Sequence, residues 1–237
     1  RRSGLPEPGS AGGVVAVAGH SLGEYTALVA AGALGEAEGA ALVAQRAAAM
    51  QAAADDEPGT MAAVLGLDPE PLAEACASVS GAWMANDNSP GQIVIAGTVK
   101  GVSAAGAAAL QRGAKRVLPL PVGGAFHSPL MASAQGRLDV ALAGVAFATP
   151  SVPVVANVDA QPHTSGFGPL LSAQLALPVR WRESLETMAG LGASLFVELG
   201  PGAELSGMVK RTVPGATRVN VATPDDLARL EAVLAGV

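Results

Sequence analysis

Aromatic side chains are scarce. Four Phe, two Trp and one Tyr make up 3% of the 237 residues, so rings cannot fill the core, which has to be built from close-packed Ala, Val and Leu. Cys76 is the only cysteine, which excludes an intramolecular disulfide and fits a reducing, cytoplasmic setting. Charged residues amount to 14%, and the formal net charge of −6 argues against general nucleic-acid binding. No apolar run reads as a bilayer span and no leader pattern opens the chain, so no membrane partner is expected. There are three histidines and no Cys/His spacing for zinc. Walker A and dinucleotide fingerprints are lacking too, so neither a metal nor a cofactor is expected. With half its residues apolar, the chain is globular.

What is present is organised around Val14-Val15-Ala16-Val17-Ala18-Gly19-His20-Ser21-Leu22-Gly23-Glu24-Tyr25. An apolar run ends in Gly-x-Ser-x-Gly, and an Ala-rich helical pattern follows. This predicts a strand over residues 14–18, a sharp turn and a helix over 21–31, with Ser21 at the apex as a nucleophile. Side chains at Gly19 or Gly23 are expected to clash with the neighbouring strand or helix. The helix N-terminus favours negative charge there, and the Leu22 N–H is placed to hold an oxyanion. Glu24 falls in the first turn, where a carboxylate suits the helix dipole.

The next helix spans 36–54. Leu42, Val43, Arg46, Ala49, Met50 and Ala53 share one face by their spacing. A guanidinium inside that apolar face needs an acceptor. Three readings stand: a salt bridge within the fold, snorkelling to the helix edge, or a carboxylate on the substrate held bidentately. An acidic turn at 55–59 marks a boundary. Then come a strand (60–67), a helix (69–79), a strand (82–86), a turn at Asn88-Ser89-Pro90-Gly91, a strand (92–97), a helix (100–112) and a strand (116–120). This βαββαβ order is that of a ferredoxin-like unit inserted into a larger α/β fold. The implied division is 1–58 and 124–237 for the large domain and 59–123 for the small one. Residues 1–13 read as a linker.

His127 lies at a Gly-rich junction before a helix at 129–143, and reads either as a capping residue or as a general base for Ser21. His20 reads as structural, and His163 as exposed in a polar loop. Beyond these follow a strand (152–157), helices at 168–175 and 181–191, a buried strand (194–199), a helix (203–211), a short edge strand (218–221) and a terminal helix (224–235) capped by Thr223.

Six motifs occur in a telling order: Gly19-His20-Ser21-Leu22-Gly23-Glu24-Tyr25, Gln45-Arg46, Asn86-Asp87-Asn88-Ser89-Pro90-Gly91-Gln92, Gly124-Ala125-Phe126-His127-Ser128, Gln174 with Pro178-Val179-Arg180-Trp181, and Glu198-Leu199-Gly200-Pro201-Gly202. Together they resemble the malonyl-CoA:acyl-carrier-protein transacylases, acyltransferases of fatty-acid synthesis, from about residue 12 onward. Polyketide synthase acyltransferase domains share much of the pattern. The resemblance implies an α/β-hydrolase-like large domain with a parallel sheet and an inserted ferredoxin-like subdomain. It implies Ser21 as the nucleophile, His127 as its general base and Arg46 as the partner of the malonyl carboxylate. It further implies Gln174 as the residue whose backbone carbonyl orients the histidine, Leu22 as an oxyanion donor and Asn88 as a binding residue. Phe126 resembles the residue that limits room at the substrate α-carbon and so favours malonyl over methylmalonyl.

The implied partners are malonyl-CoA and acyl carrier protein, acting on a monomer through ping-pong transfer. Arg112, Lys115, Arg116, Arg180, Arg182, Lys210 and Arg211 are the basic residues available to steer an acidic carrier. Family members begin with a strand and a Gly-Gln-Gly loop, absent here, that supplies a second oxyanion donor. The expectation is therefore a truncated chain with impaired activity. A rival reading is an α/β-hydrolase-type esterase or thioesterase, which would need a Ser…Asp/Glu…His order with a late histidine. A second rival is a non-catalytic interaction surface.

Overall fold

The computed structural model describes residues 13–235. The linker expected over 1–13 lies outside the described residues, apart from Gly13. The fold is α/β with mixed sheets.

The nucleophile motif forms β1 (Val17–Ala18) and α1 (Gly23–Ala30). α2 follows as a long helix (Glu36–Asp56) that runs on through the first half of the expected acidic turn. After it come β2 (Thr60–Leu65), α3 (Pro69–Ala77), β3 (Ala82–Ser89), β4 (Gln92–Gly97), α4 (Val99–Gln111) and β5 (Arg116–Pro119). These strands make one antiparallel sheet in the order β3-β4-β2-β5. α3 and α4 pack on it over their own core of Leu72, Ala75, Ile93, Ile95, Ala105 and Ala109. Thr98 caps α4 by accepting from the Gly101 N–H. β3 runs three residues further than expected. Asn88 and Ser89 belong to the strand, and the reversal is left to Pro90-Gly91. β-bulges at Met84/Asn86 and Asp87/Ser89 let it extend.

The chain then returns through a short 3₁₀ turn (Pro129–Met131) into α5 (Ala132–Leu142), β6 (Val154–Val155), β7 (Pro162–His163), α6 (Phe167–Gln174) and α7 (Trp181–Gly190). It ends with β8 (Leu195–Leu199), α8 (Glu204–Thr212), β9 (Thr217–Val221), a 3₁₀ turn and α9 (Leu227–Leu234). A capping box between Thr223 and Asp226 starts that last turn.

Four expectations are corrected. β1 and β6 are each two residues long: residues 14–16 and 152–153 precede the paired Val17–Ala18 and Val154–Val155, and beyond Val155 the Asn157 side chain takes over the bonding to the β1 side. The parallel sheet expected of the large domain is not continuous among the described residues: β1-β6-β7 and β8-β9 are separate, and β7 is antiparallel to β6. β8 is not buried; Leu199 is 72% exposed, because the strand packs on one side only. His163 is half-buried in β7 and bonds Asp159 at 2.8 Å instead of lying free in a loop.

The second core joins α1, α2, α5 and α6 through Leu28, Leu42, Ala49, Ala53, Leu138 and Leu171. Its small side chains let α2 and α5 approach closely, as the shortage of rings required. Among the described residues, no helix is long and apolar enough to cross a membrane.

Candidate active site

Ser21 sits between β1 and α1 with φ +52°, a left-handed conformation that a serine adopts at a cost of about 1–3 kcal/mol. Gly19 is required by the turn: a Cβ there would lie 1.9 Å from the Gly23 carbonyl oxygen. The matching expectation for Gly23 is corrected, since a Cβ at that position meets nothing within 4 Å among the described residues. The Leu22 N–H has no acceptor among the described residues, and its apolar side chain is 47% exposed. The free donor thus lies one residue past Ser21, at the start of α1.

Ser21 Oγ is 2.8 Å from His127 Nε2. His127 is buried and also has positive φ, +58°. Its Nδ1 lies 2.7 Å from the Gln174 carbonyl oxygen. A carbonyl only accepts, so Nδ1 carries the proton and Nε2 is left to accept from the serine hydroxyl. Burial pushes the imidazole down to about 3, against the Gln174 carbonyl, with Arg46 and His20 pushing further down. The ring is therefore neutral near pH 7.

Arg46 enters from α2, buried in the face that its spacing predicted. Its Nη2 donates to Ser21 Oγ at 2.8 Å and to Gln174 Oε1 at 3.1 Å. Among the described residues no carboxylate oxygen lies within salt-bridge distance of it, and its Nε has no partner. The Tyr25 ring packs 5.8 Å from the guanidinium carbon. Of the readings of Arg46, snorkelling does not fit its burial, and no internal salt bridge is present among the described residues.

Asn88 is placed at one remove. Its Oδ1 accepts from His20 Nε2 at 2.8 Å, and both line a cleft of about 410 Å³ walled by Leu199, Pro201, Leu205 and Met208. His20 rests edge-on against Trp181, with ring centroids 5.6 Å apart. Phe126, next to His127, is half-buried and packs against the α1-α2-α5-α6 core and against a separate cluster of Met61, Ala85, Val94, Ala96 and Ala125, with its ring over Gly124.

Two residues of the site went unread in the sequence. Asn157, fully buried, accepts from the Ser21 N–H at 2.7 Å and donates to the Gly19 carbonyl at 2.8 Å. Glu24, read as a dipole partner, is instead a buried acceptor. Its Oε2 takes the Asn157 N–H at 3.1 Å and Gln174 Nε2 at 2.7 Å. Burial raises its carboxyl to about 7. The signal available was the Asn in the run Val154-Val155-Ala156-Asn157, a polar residue ending an apolar strand.

The fold thus brings together a serine hydroxyl, a neutral histidine on a backbone carbonyl and a buried guanidinium with no carboxylate partner among the described residues. The model of the acyl transferase domain matches residues 10–225. The chain belongs to the acyl transferase family. Within it, the chain is 44% identical over 217 residues to the malonyl CoA-acyl carrier protein transacylase of Escherichia coli K12, covering 90% of this chain and 70% of that one. The crystal structure of the malonyl-CoA:acyl carrier protein transacylase of Xanthomonas oryzae pv. oryzae superposes with a TM-score of 0.88 at 42% identity, covering 92% and 71% of the two chains. A malonyl-transacylase in complex with its type II polyketide synthase acyl-carrier protein matches at 0.88 and 40%, covering 93% and 72%.

Proposed function

We propose that Ser21 and His127 form the dyad through which this acyltransferase moves malonyl from malonyl-CoA to the phosphopantetheine thiol of acyl carrier protein. His127 Nε2 takes the Ser21 proton as Oγ attacks the thioester carbonyl, and the Leu22 N–H receives the developing oxyanion. The imidazolium then protonates the leaving CoA thiolate, which leaves a malonyl-serine. The carrier thiol reverses the sequence, with His127 again taking and returning the proton.

The observation that carries the reading is the unpaired Arg46. A guanidinium buried without a carboxylate calls for one from the ligand. In the free site its Nη2 donates to Ser21 Oγ, which draws electron density from the nucleophile. Pairing with the malonyl carboxylate relieves that contact and neutralises the charge that depresses His127. A malonyl substrate thus activates the dyad in a way an acetyl substrate does not. Asn88, walling the cleft beside His20, is assigned to substrate binding. Phe126, packed next to the base, is assigned to limiting room at the α-carbon.

The sheet order β3-β4-β2-β5 with two helices on one face supports a ferredoxin-like small domain over 59–123, set into an α/β-hydrolase-like domain of 1–58 and 124–237. The esterase reading finds no support: the histidine on Ser21 is His127, and its Nδ1 partner is a carbonyl, not an Asp or Glu.

Arg46→Ala tests the assignment. Malonyl loading of Ser21 is expected to fall by about a hundredfold or more, with acetyl loading held or raised, since a charge-assisted pair contributes about 1.5–3 kcal/mol or more. An unchanged malonyl-to-acetyl ratio would remove Arg46 from recognition.

A further inference from the structure

Ser21 is held in a conformation that its own backbone disfavours, and the register of β1 on β6 points to what holds it. Val17 lies opposite Val154 and Ala18 opposite Val155 in a parallel pair. Two steps on, that register sets His20 opposite Asn157. In a parallel ladder, one residue's backbone N–H and C=O bond the residues on either side of its partner. Asn157 makes those two bonds with its side chain: Nδ2 to the carbonyl of Gly19, and Oδ1 from the N–H of Ser21. Its backbone is engaged elsewhere, the N–H on Glu24 Oε2 and the carbonyl on the Arg180 N–H at 2.8 Å. The side-chain amide stands in for a peptide unit, so the ladder runs one residue past the point where the two main chains part.

Glu24 joins this device to the base. The oxygen that takes the Asn157 N–H also takes Gln174 Nε2, and the Gln174 carbonyl orients His127. Gln174 Nε2 lies 3.0 Å from the Ser21 carbonyl as well, so the elbow is held on its far side too. A single carboxylate oxygen therefore links what holds the nucleophile to what holds its base. We propose that Asn157 is a positioning residue that splints the strained Ser21 elbow, and that Glu24 ties the splint to Gln174 so that Oγ and Nε2 stay in bonding range. The inference rests on Ser21 being the nucleophile.

Neither residue is placed against the acyl group, so both act on the rate of acyl transfer to Ser21 and not on substrate affinity. A merely structural Asn157 or Glu24 would lower stability and leave the folded fraction fully reactive. The test is rapid-quench loading with malonyl-CoA followed by intact-mass detection. It compares wild type, Asn157→Ala, Glu24→Ala and Glu24→Gln, each with its thermal unfolding recorded. A fluorophosphonate labelling series on the same proteins reads serine reactivity without the malonyl carboxylate.

Asn157→Ala and Glu24→Ala are expected to load about 30- to 100-fold more slowly, the scale of a misplacement near 1 Å, with half-saturation within about twofold and the same slowing toward fluorophosphonate. Glu24→Gln keeps an oxygen that can accept both N–H groups, and is expected to recover most of the rate. Folded Ala variants that load at the wild-type rate, or that change only half-saturation, would overturn the proposal. So would a Glu24→Gln variant no better than Glu24→Ala. If Asn157→Ala does not fold, the Glu24 pair decides. Absence of any adduct on wild-type Ser21 would overturn the nucleophile assignment, and this inference with it.

Discussion

His127, proposed as the base, is held neutral by its surroundings. Burial lowers its pKa, and the positive charge of Arg46 adds to the effect, so the free dyad stays in its reactive protonation state well below the usual histidine range. The acid limb of fluorophosphonate labelling is accordingly expected below pH 6.5, and Arg46→Ala moves it upward. A wild-type midpoint at or above 6.5 would contradict the account. Glu24 shifts the other way, from 4.5 to about 7. A raised carboxylate binds its proton more tightly in the folded state, so its contribution is complete below about 4.5 and is lost as pH rises through 7. Glu24→Gln removes that loss. Its unfolding free energy in urea is expected to gain on wild type by on the order of 3 kcal/mol between about pH 5 and pH 8; a pH-independent difference would contradict this.

Legibility at the residue scale followed from local context. Ser21 lies between glycines, Arg46 interrupts an apolar face, and both could be read. Asn157 and Glu24 act across a distance of 133 positions in the chain, with no spacing to betray them.

Among the elements, helices were legible to within three residues at either end because their apolar periodicity is carried within each one. The strands of the β3-β4-β2-β5 sheet were nearly as clear. The short strands β1 and β6 were not, since their apolar runs begin before the residues that pair, and only at the C-terminal end does a side chain, that of Asn157, mark where main-chain pairing stops. The elbow itself offers a direct comparison. Gly19→Ala drives a Cβ into the Gly23 carbonyl and is expected to abolish Ser21 labelling or soluble expression. Gly23→Ala adds a methyl at a helical position and is expected to leave the melting temperature within a few degrees. Equal tolerance of both would mean that the turn is not as tight as described.

At the scale of the whole molecule, polar ties cross from α7 and α8 to the β3-β4-β2-β5 sheet. Arg182 Nε donates to Asp87 Oδ2 at 2.9 Å, and Arg211 Nε to Ser89 Oγ at 2.8 Å. Asp87 is buried, with its other carboxylate oxygen unpartnered, so Arg182→Ala leaves a buried acceptor unmet and is expected to lower stability by about 1–3 kcal/mol in urea unfolding. No measurable loss would mean that water replaces the arginine. Four of the basic residues read as available to steer a carrier are engaged within the fold: Arg112 with Glu74, Arg180 with Glu183, Arg182 with Asp87 and Glu186, and Arg211 with Ser89 and Gln92. Lys115, Arg116 and Lys210 have no salt bridge among the described residues. Charge type was readable in the sequence, whereas its local pairing depends on how the elements meet.

The central claim is that Ser21 carries the malonyl group. Intact-protein mass spectrometry after brief exposure to malonyl-CoA tests it directly, with acetyl-CoA and Ser21→Ala alongside. The account predicts one malonyl adduct on wild type, little from acetyl-CoA and none on Ser21→Ala. An adduct that persists on Ser21→Ala, or a folded wild type that takes none, would contradict it.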